Sequence, residues 1–180
     1  IRGEYLKARE TFGQAIDISR REQDYDLEML SLAAAAAGDA YDNNWEQCVE
    51  RCREGLALRE KTNDLYALTS VIGFLVRALI ATGHTDGTTD LAQEQVTLAE
   101  RFRDRVALST AYWLNGVLAR MKGDWEEVRH YTGIALDFSP GDDRILGTRI
   151  MIEYDLGQSE VGKSFLSERS ERFRDRPADI

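Results

Sequence analysis

Cysteine and proline are scarce in this chain, with two of each in 180 residues. Two cysteines cannot build the disulfide framework of a small secreted scaffold. Cys48 and Cys52 are four apart on an expected helix, where Cβ atoms lie about 5–6 Å apart, beyond the roughly 3.5–4.5 Å of a disulfide. Long hydrophobic runs are also missing. The apolar stretches at 30–37 and 71–80, the second broken by Arg77, are too short to cross a bilayer's hydrocarbon core. Basic residues are the minority: 23 Lys+Arg against 32 Asp+Glu give a formal charge of −9 and a pI near 4.8. That balance argues against a main task of gripping nucleic-acid phosphates or anionic membrane. The chain opens Ile1-Arg2-Gly3-Glu4, with neither an initiator Met nor a basic-then-apolar leader, so a segment of a longer protein is expected. Free thiols suit a cytoplasmic location.

What is present is a composition able to bury a core, 43% hydrophobic and 31% charged, together with an internal repeat. Gly3, Asn43, Gly83 and Gly123 are spaced by 40, and two residues on stand Tyr5, Trp45, Thr85 and Trp125. Ile16, Leu56, Val96 and Leu136 share the spacing, as do Ile18, Leu58, Leu98 and Phe138. A small residue recurs at Ala15, Gly55 and Ala135, with Gln95 the exception. Within each period apolar residues recur at helical spacing, as at Tyr5, Ala8, Phe12, Ala15 and Ile16, so each period reads as two helices. Gly suits the left-handed residue that ends a helix and Asn is its usual substitute, which puts the turn between helices at these positions.

The pattern predicts an all-α chain of nine helices, near 4–18, 22–42, 44–60, 64–82, 86–101, 105–122, 124–138, 142–156 and 158–173, with no strands. Asn44 with Gln47 and Asp124 with Glu127 have the spacing of capping boxes. Pro140 and Pro177 fall between expected helix pairs. Antiparallel pairs stacked at a fixed period bury their apolar faces only against neighbours, which is the logic of a solenoid. The first helix has no preceding partner, so Tyr5, Phe12 and Ile16 are expected at an open end.

These residues resemble the tetratricopeptide repeat, whose pattern is a turn Gly, a small residue five on, an aromatic four later, an Ala three later and a Pro five beyond. Gly3, Ala8, Phe12 and Ala15 reproduce it; Gly123, Ala135 and Pro140 match, while Val128 and Thr132 depart from the preferred types. The resemblance spans nearly the whole chain and implies one domain over 1–180, a right-handed superhelical solenoid of about four and a half repeats. The 40-residue spacing is similar to the variant found in large bacterial regulators, including LuxR-type activators and cyclase-linked signalling ATPases. From Gly123 to Gly157 the spacing is 34, the ordinary period.

Gly157-Gln158-Ser159-Glu160-Val161-Gly162-Lys163-Ser164 satisfies the phosphate-loop pattern, and 148–154 can pass for the strand before it. The repeat instead puts Gly157 at a turn and a helix after it, and the helical reading leads. Cys48 and Cys52 occupy the columns of Ala8 and Phe12 and read as core, with no cluster of four ligands for zinc and no metal or cofactor expected. His84 and His130 read as surface residues, and no nucleophile or carboxylate pair is arranged for catalysis, so the chain is not expected to be an enzyme. Trp45, Trp125, Tyr5 and Tyr112 fall at repeat columns and read as packing. The arginines of 100–105 and 171–176 suit helix ends.

In tetratricopeptide proteins the first helix of each pair lines a concave face. Carried over, its columns hold Leu30, Ala33, Ala37 and Tyr41, then Ser70, Gly73, Arg77 and Ile80, then Thr110, Trp113, Val117 and Arg120, and last Arg144, Gly147, Met151 and Tyr154. Arg77, Arg120 and Arg144 with Trp113 and Tyr154 then form a groove favouring another protein's acidic, aromatic-containing peptide. The competing expectation is that these arginines pair internally with neighbouring acids. The residues do not match the Lys/Asn pattern of chaperone-tail-binding members. The resemblance implies a protein–protein interaction module, the sensing or docking region of a larger bacterial signalling or transcription-regulatory protein. A structural spacer or self-association domain is the alternative, and nucleotide binding through Lys163 ranks below both.

Overall fold

The computed structural model describes the backbone of residues 2–174 and the side chains of 7–171 apart from Arg9. Tyr5, Pro177 and the segment from Arg172 to Arg176, as side chains, lie outside the described residues. Among the described residues there are nine α-helices and no strand: α1 Arg2–Glu22, α2 Tyr25–Tyr41, α3 Trp45–Leu56, α4 Leu65–Ala81, α5 Thr88–Phe102, α6 Arg105–Lys122, α7 Trp125–Phe138, α8 Asp143–Asp155 and α9 Ser159–Arg174. None of them is long and apolar enough to cross a membrane.

The helix ends follow from local chemistry. Asn43, Gly83, Gly123 and Gly157 all have positive φ, between 58° and 76°, so the repeat's turn column is the residue that reverses the chain. Gly3 departs from this column, because α1 runs through it. Asp24, Asp64 and Asp124 each accept a hydrogen bond from the backbone N–H three residues on, at 3.0, 2.9 and 3.1 Å. Asn44 does not: its side chain makes no cap bond, and Gln47 donates instead to Glu50. The expected boundary between the first two helices also moves. Gln23, at φ 56°, makes the turn, so α1 ends at Glu22 and α2 begins at Tyr25.

The packing groups the chain into two compact units, Ile1–Ala107 and Leu108–Ile180. In the first unit α1 packs on α2, α2 on α3, α3 on α4 and α4 on α5, and α2 also packs on α4. First helices of successive pairs therefore touch, as a helical repeat requires. Met29, Leu32, Cys48, Cys52, Val71, Ile72 and Val76 form its buried interior. Ile16, expected at an open end, is 5% exposed and packs with Leu32 and Ala35, and Phe12 lies against the same cluster. A helix of 21 residues reaches far enough along α2 to bury them.

Two tight contacts explain the small-residue columns. A Cβ on Gly55 would stand 3.0 Å from a methyl of Val71. Gln95, the exception in that column, is buried, and its amide lies where a Cβ on Gly73 would be. The large residue in one helix is matched by a missing side chain in the facing one. Gly73, read as groove-lining, is buried for this reason. In the second unit Gly116 does the same for α7: its Cβ would meet Thr132 Cγ2 at 3.1 Å. Ala119, Val128 and Ile152 form a buried cluster there, flanked by Trp125, Tyr131 and Leu156.

Candidate functional site

Trp113 on α6 is half-buried, and its indole N–H donates to Thr148 Oγ1 on α8 at 3.1 Å. Thr148 can accept because its own hydroxyl donates one turn back, to the carbonyl of Arg144, at 2.8 Å. The same turn of α8 lays the Arg144 guanidinium over the indole, 4.9 Å from the ring centroid. Arg144 also donates from Nη2 to Thr110 at 3.3 Å. Its Nε and Nη2 reach the two oxygens of Asp142 at 3.0 and 2.5 Å. Asp142 in turn caps α8, accepting from the Arg144 N–H at 2.9 Å. Burial raises the proton affinity of the Asp142 carboxyl, but the Arg144 guanidinium outweighs it and holds the group below the usual aspartate range. Trp113 and Arg144 thus form a shelf whose two planes are both fixed by hydrogen bonds.

The remaining residues of the expected groove are placed differently. Tyr154 is 43% exposed, with its ring against Gly162 of α9. Arg120 stands 3.9 Å from Asp155, a loose exposed pair. Arg77 belongs to the first unit, over the Phe74 ring at 5.5 Å. Of the five, Trp113 and Arg144 are in direct contact. Arg120 and Arg144 each have an acidic neighbour within their own unit, as the competing expectation described.

A second polar cluster was not singled out from the sequence. Glu153 of α8 is 1% exposed and fully paired: Arg129 Nε reaches Oε1 at 3.0 Å, Arg129 Nη2 reaches Oε2, and Arg149 Nη2 reaches Oε1 at 3.1 Å. Arg149 also donates to the carbonyl of Arg129 at 3.1 Å and lies over the Phe165 ring of α9. Burial acts to raise the Glu153 carboxyl, and the two guanidiniums overcome it, so it stays ionised. Asp39 is the counterpart in the first unit, fully buried and bonded to Arg51 at 2.6 Å. A signal existed: 39, 79 and 119 follow the period of 40, and the final period of 34 leads to 153, one column carrying a buried acid at each end.

The phosphate-loop match folds as a helix start. Residues 148–154 lie in α8 and are not a strand. The Gly162 N–H is spent on the Gln158 carbonyl and Ser164 donates to Val161 O, both within the helix, while Lys163 forms an exposed pair with Glu160 at 2.7 Å. Cys48 and Cys52 are both fully buried, and the hydrogen bond between them, with burial, keeps the Cys52 thiol protonated. Among the described residues no three His, Cys, Asp or Glu are placed to hold a metal ion. His84 and His130 are exposed.

Similarity to known proteins adds one finding. No family model matches the chain, and none of the curated proteins does. Among solved structures it is similar to BtubC (BKLC) from P. vanneervenii, with a TM-score of 0.72, over 98% of this chain and 76% of that one, at 12% identity. The likeness is one of fold. It places the chain with all-α helical-repeat architectures.

Proposed function

We propose that this chain is a protein-interaction module of tetratricopeptide type, the docking or sensing region of a larger cytoplasmic bacterial signalling or transcription-regulatory protein. The observation that carries this reading is the shelf of Trp113 and Arg144, fixed in place by Thr148, Thr110 and Asp142. An amphipathic aromatic plane fixed before the partner arrives loses little entropy on binding. Half-exposed Met151 and Tyr154 continue the same first-helix column of the repeat. The partner is a peptide segment that lays an aromatic or apolar side chain on this surface. An acidic residue beside it would exchange with Asp142 for the guanidinium.

That exchange supplies the test. A fluorescent acidic peptide containing Trp or Tyr is titrated with the wild type and with Asp142→Asn, which keeps an acceptor for the helix cap. Removing the internal competitor is expected to tighten binding several-fold, and Trp113→Ala to weaken it at least tenfold. Unchanged affinity in both variants would dismiss the shelf as a binding site.

A further inference from the structure

We infer that Cys48 and Cys52 form a two-coordinate site for a soft monovalent metal ion, Cu(I), in the interior of the first unit. The site is independent of the Trp113 shelf and of the function built on it. Both cysteines lie on α3, four positions apart, so both thiols leave the same face of the helix. Each is 0% exposed. Their face is turned into the unit, where α3 packs on α2 and α4. The Cys48 thiol donates weakly to the Phe74 carbonyl of α4 at 3.8 Å, and the two thiols are in hydrogen-bond contact with each other.

The helix that forbids one bridge between these sulfurs allows another. A disulfide needs Cβ atoms about 3.5–4.5 Å apart, and one turn of helix holds them about 5–6 Å apart. Two metal–thiolate bonds of about 2.3 Å set in line span about 4.6 Å between sulfurs, a separation within reach of staggered side chains on neighbouring turns. An ion therefore bridges the pair with α3 intact. Donor type and number then select the ion. Two thiolates cannot complete the tetrahedron that zinc takes, and among the described residues no third His, Cys, Asp or Glu is grouped with them. Calcium and magnesium require oxygen donors. Soft thiolates suit Cu(I), a filled-shell ion satisfied by two ligands in line. Arg51 of α3 and Arg77 of α4 favour negative charge at Cys48, while Asp39 of α2, bonded to Arg51 at 2.6 Å, opposes it. Binding is an exchange without change of oxidation state: both S–H bonds break, two S–Cu bonds form, and two protons leave to solvent.

The probe is Cu(I) itself, held by a coloured chelator in the absence of oxygen and titrated with the 180-residue chain. One ion per chain is expected, with unchanged helical circular dichroism and a raised melting temperature, since an ion bound by the folded chain stabilises it. Cys48→Ala and Cys52→Ala are each expected to weaken binding at least a hundredfold. The wild type unfolded in concentrated urea is the second measurement, decisive even where an alanine variant fails to fold. It keeps both thiols and loses their arrangement, so it is expected to bind at least tenfold more weakly. Trp113→Ala is expected to leave Cu(I) binding unchanged, so the failure of one site does not touch the other. The inference is overturned if the chain takes no ion, if either alanine variant binds as the wild type does, or if urea leaves the affinity unchanged. It is also overturned if binding lowers the helix content or the melting temperature, because the ion would then be held by an opened chain.

Discussion

Replacing Glu153 by Leu removes the carboxylate that answers two guanidiniums. In the folded chain Arg149 is the trapped partner, its side chain only 14% exposed, whereas Arg129 is 40% exposed and turns to water when released. Breaking a buried pair by deleting one member costs about 3–5 kcal/mol, and the freedom of Arg129 puts this case near the low end, at about 3 kcal/mol. For a chain of this size that lowers the melting temperature by roughly 6–12 °C. Thermal denaturation followed by circular dichroism measures it, and the double variant Glu153→Leu/Arg149→Met is expected to recover most of the loss, since no buried charge then lacks a partner. The pH dependence follows from the direction of the shift. A carboxyl held below its unfolded value of about 4.3 contributes its stability fully above that pH, and the contribution fades as pH falls through the lower folded value. The gap between wild type and Glu153→Leu therefore stays constant from neutral pH to about 4.3 and closes in stronger acid. A loss under about 1 kcal/mol at neutral pH, or a double variant no better than the single, would refute the reasoning.

Other substitutions test the helix contacts. Gly116→Leu would drive a side chain into Thr132 and Tyr131 of α7, and a loss of about 1–3 kcal/mol is expected from overpacking, read by urea denaturation; no change would mean these helices are farther apart. Gly73→Val is expected to destabilise through Gln95, whose amide occupies the space, and Gln95→Ala in the same chain to restore part of the loss in melting temperature. At Gly123, with φ 75°, Gly123→Val is expected to cost about 1–2 kcal/mol and Gly123→Asn clearly less, since Asn43 fills the equivalent turn; equal losses would show that the turn does not depend on the left-handed residue.

Helix number and order were legible in the sequence because both rest on local physics. Apolar residues at helical spacing and turn residues with positive φ act within a few positions of one another, and the period of 40 made the pattern visible four times. The boundary after α1 moved because Gln23, which is neither Gly nor Asn, takes the left-handed turn, so α1 extends to Glu22. The burial of Cys48 and Cys52 followed from their columns.

The shelf was half legible. Trp113 and Arg144 stood in the right columns, yet their contact depends on α6 and α8 lying side by side, a relation between residues more than thirty positions apart. Whether an arginine offers its charge to a partner or spends it on Asp142 is likewise decided in space. The sequence by itself determined the helices, their turns and the acidic balance, because these depend on composition and near neighbours. Only the tertiary structure decided which charges are buried in pairs, which side of α2 is covered and which glycine makes room for Gln95, because each of those outcomes depends on what packs against a residue from another helix.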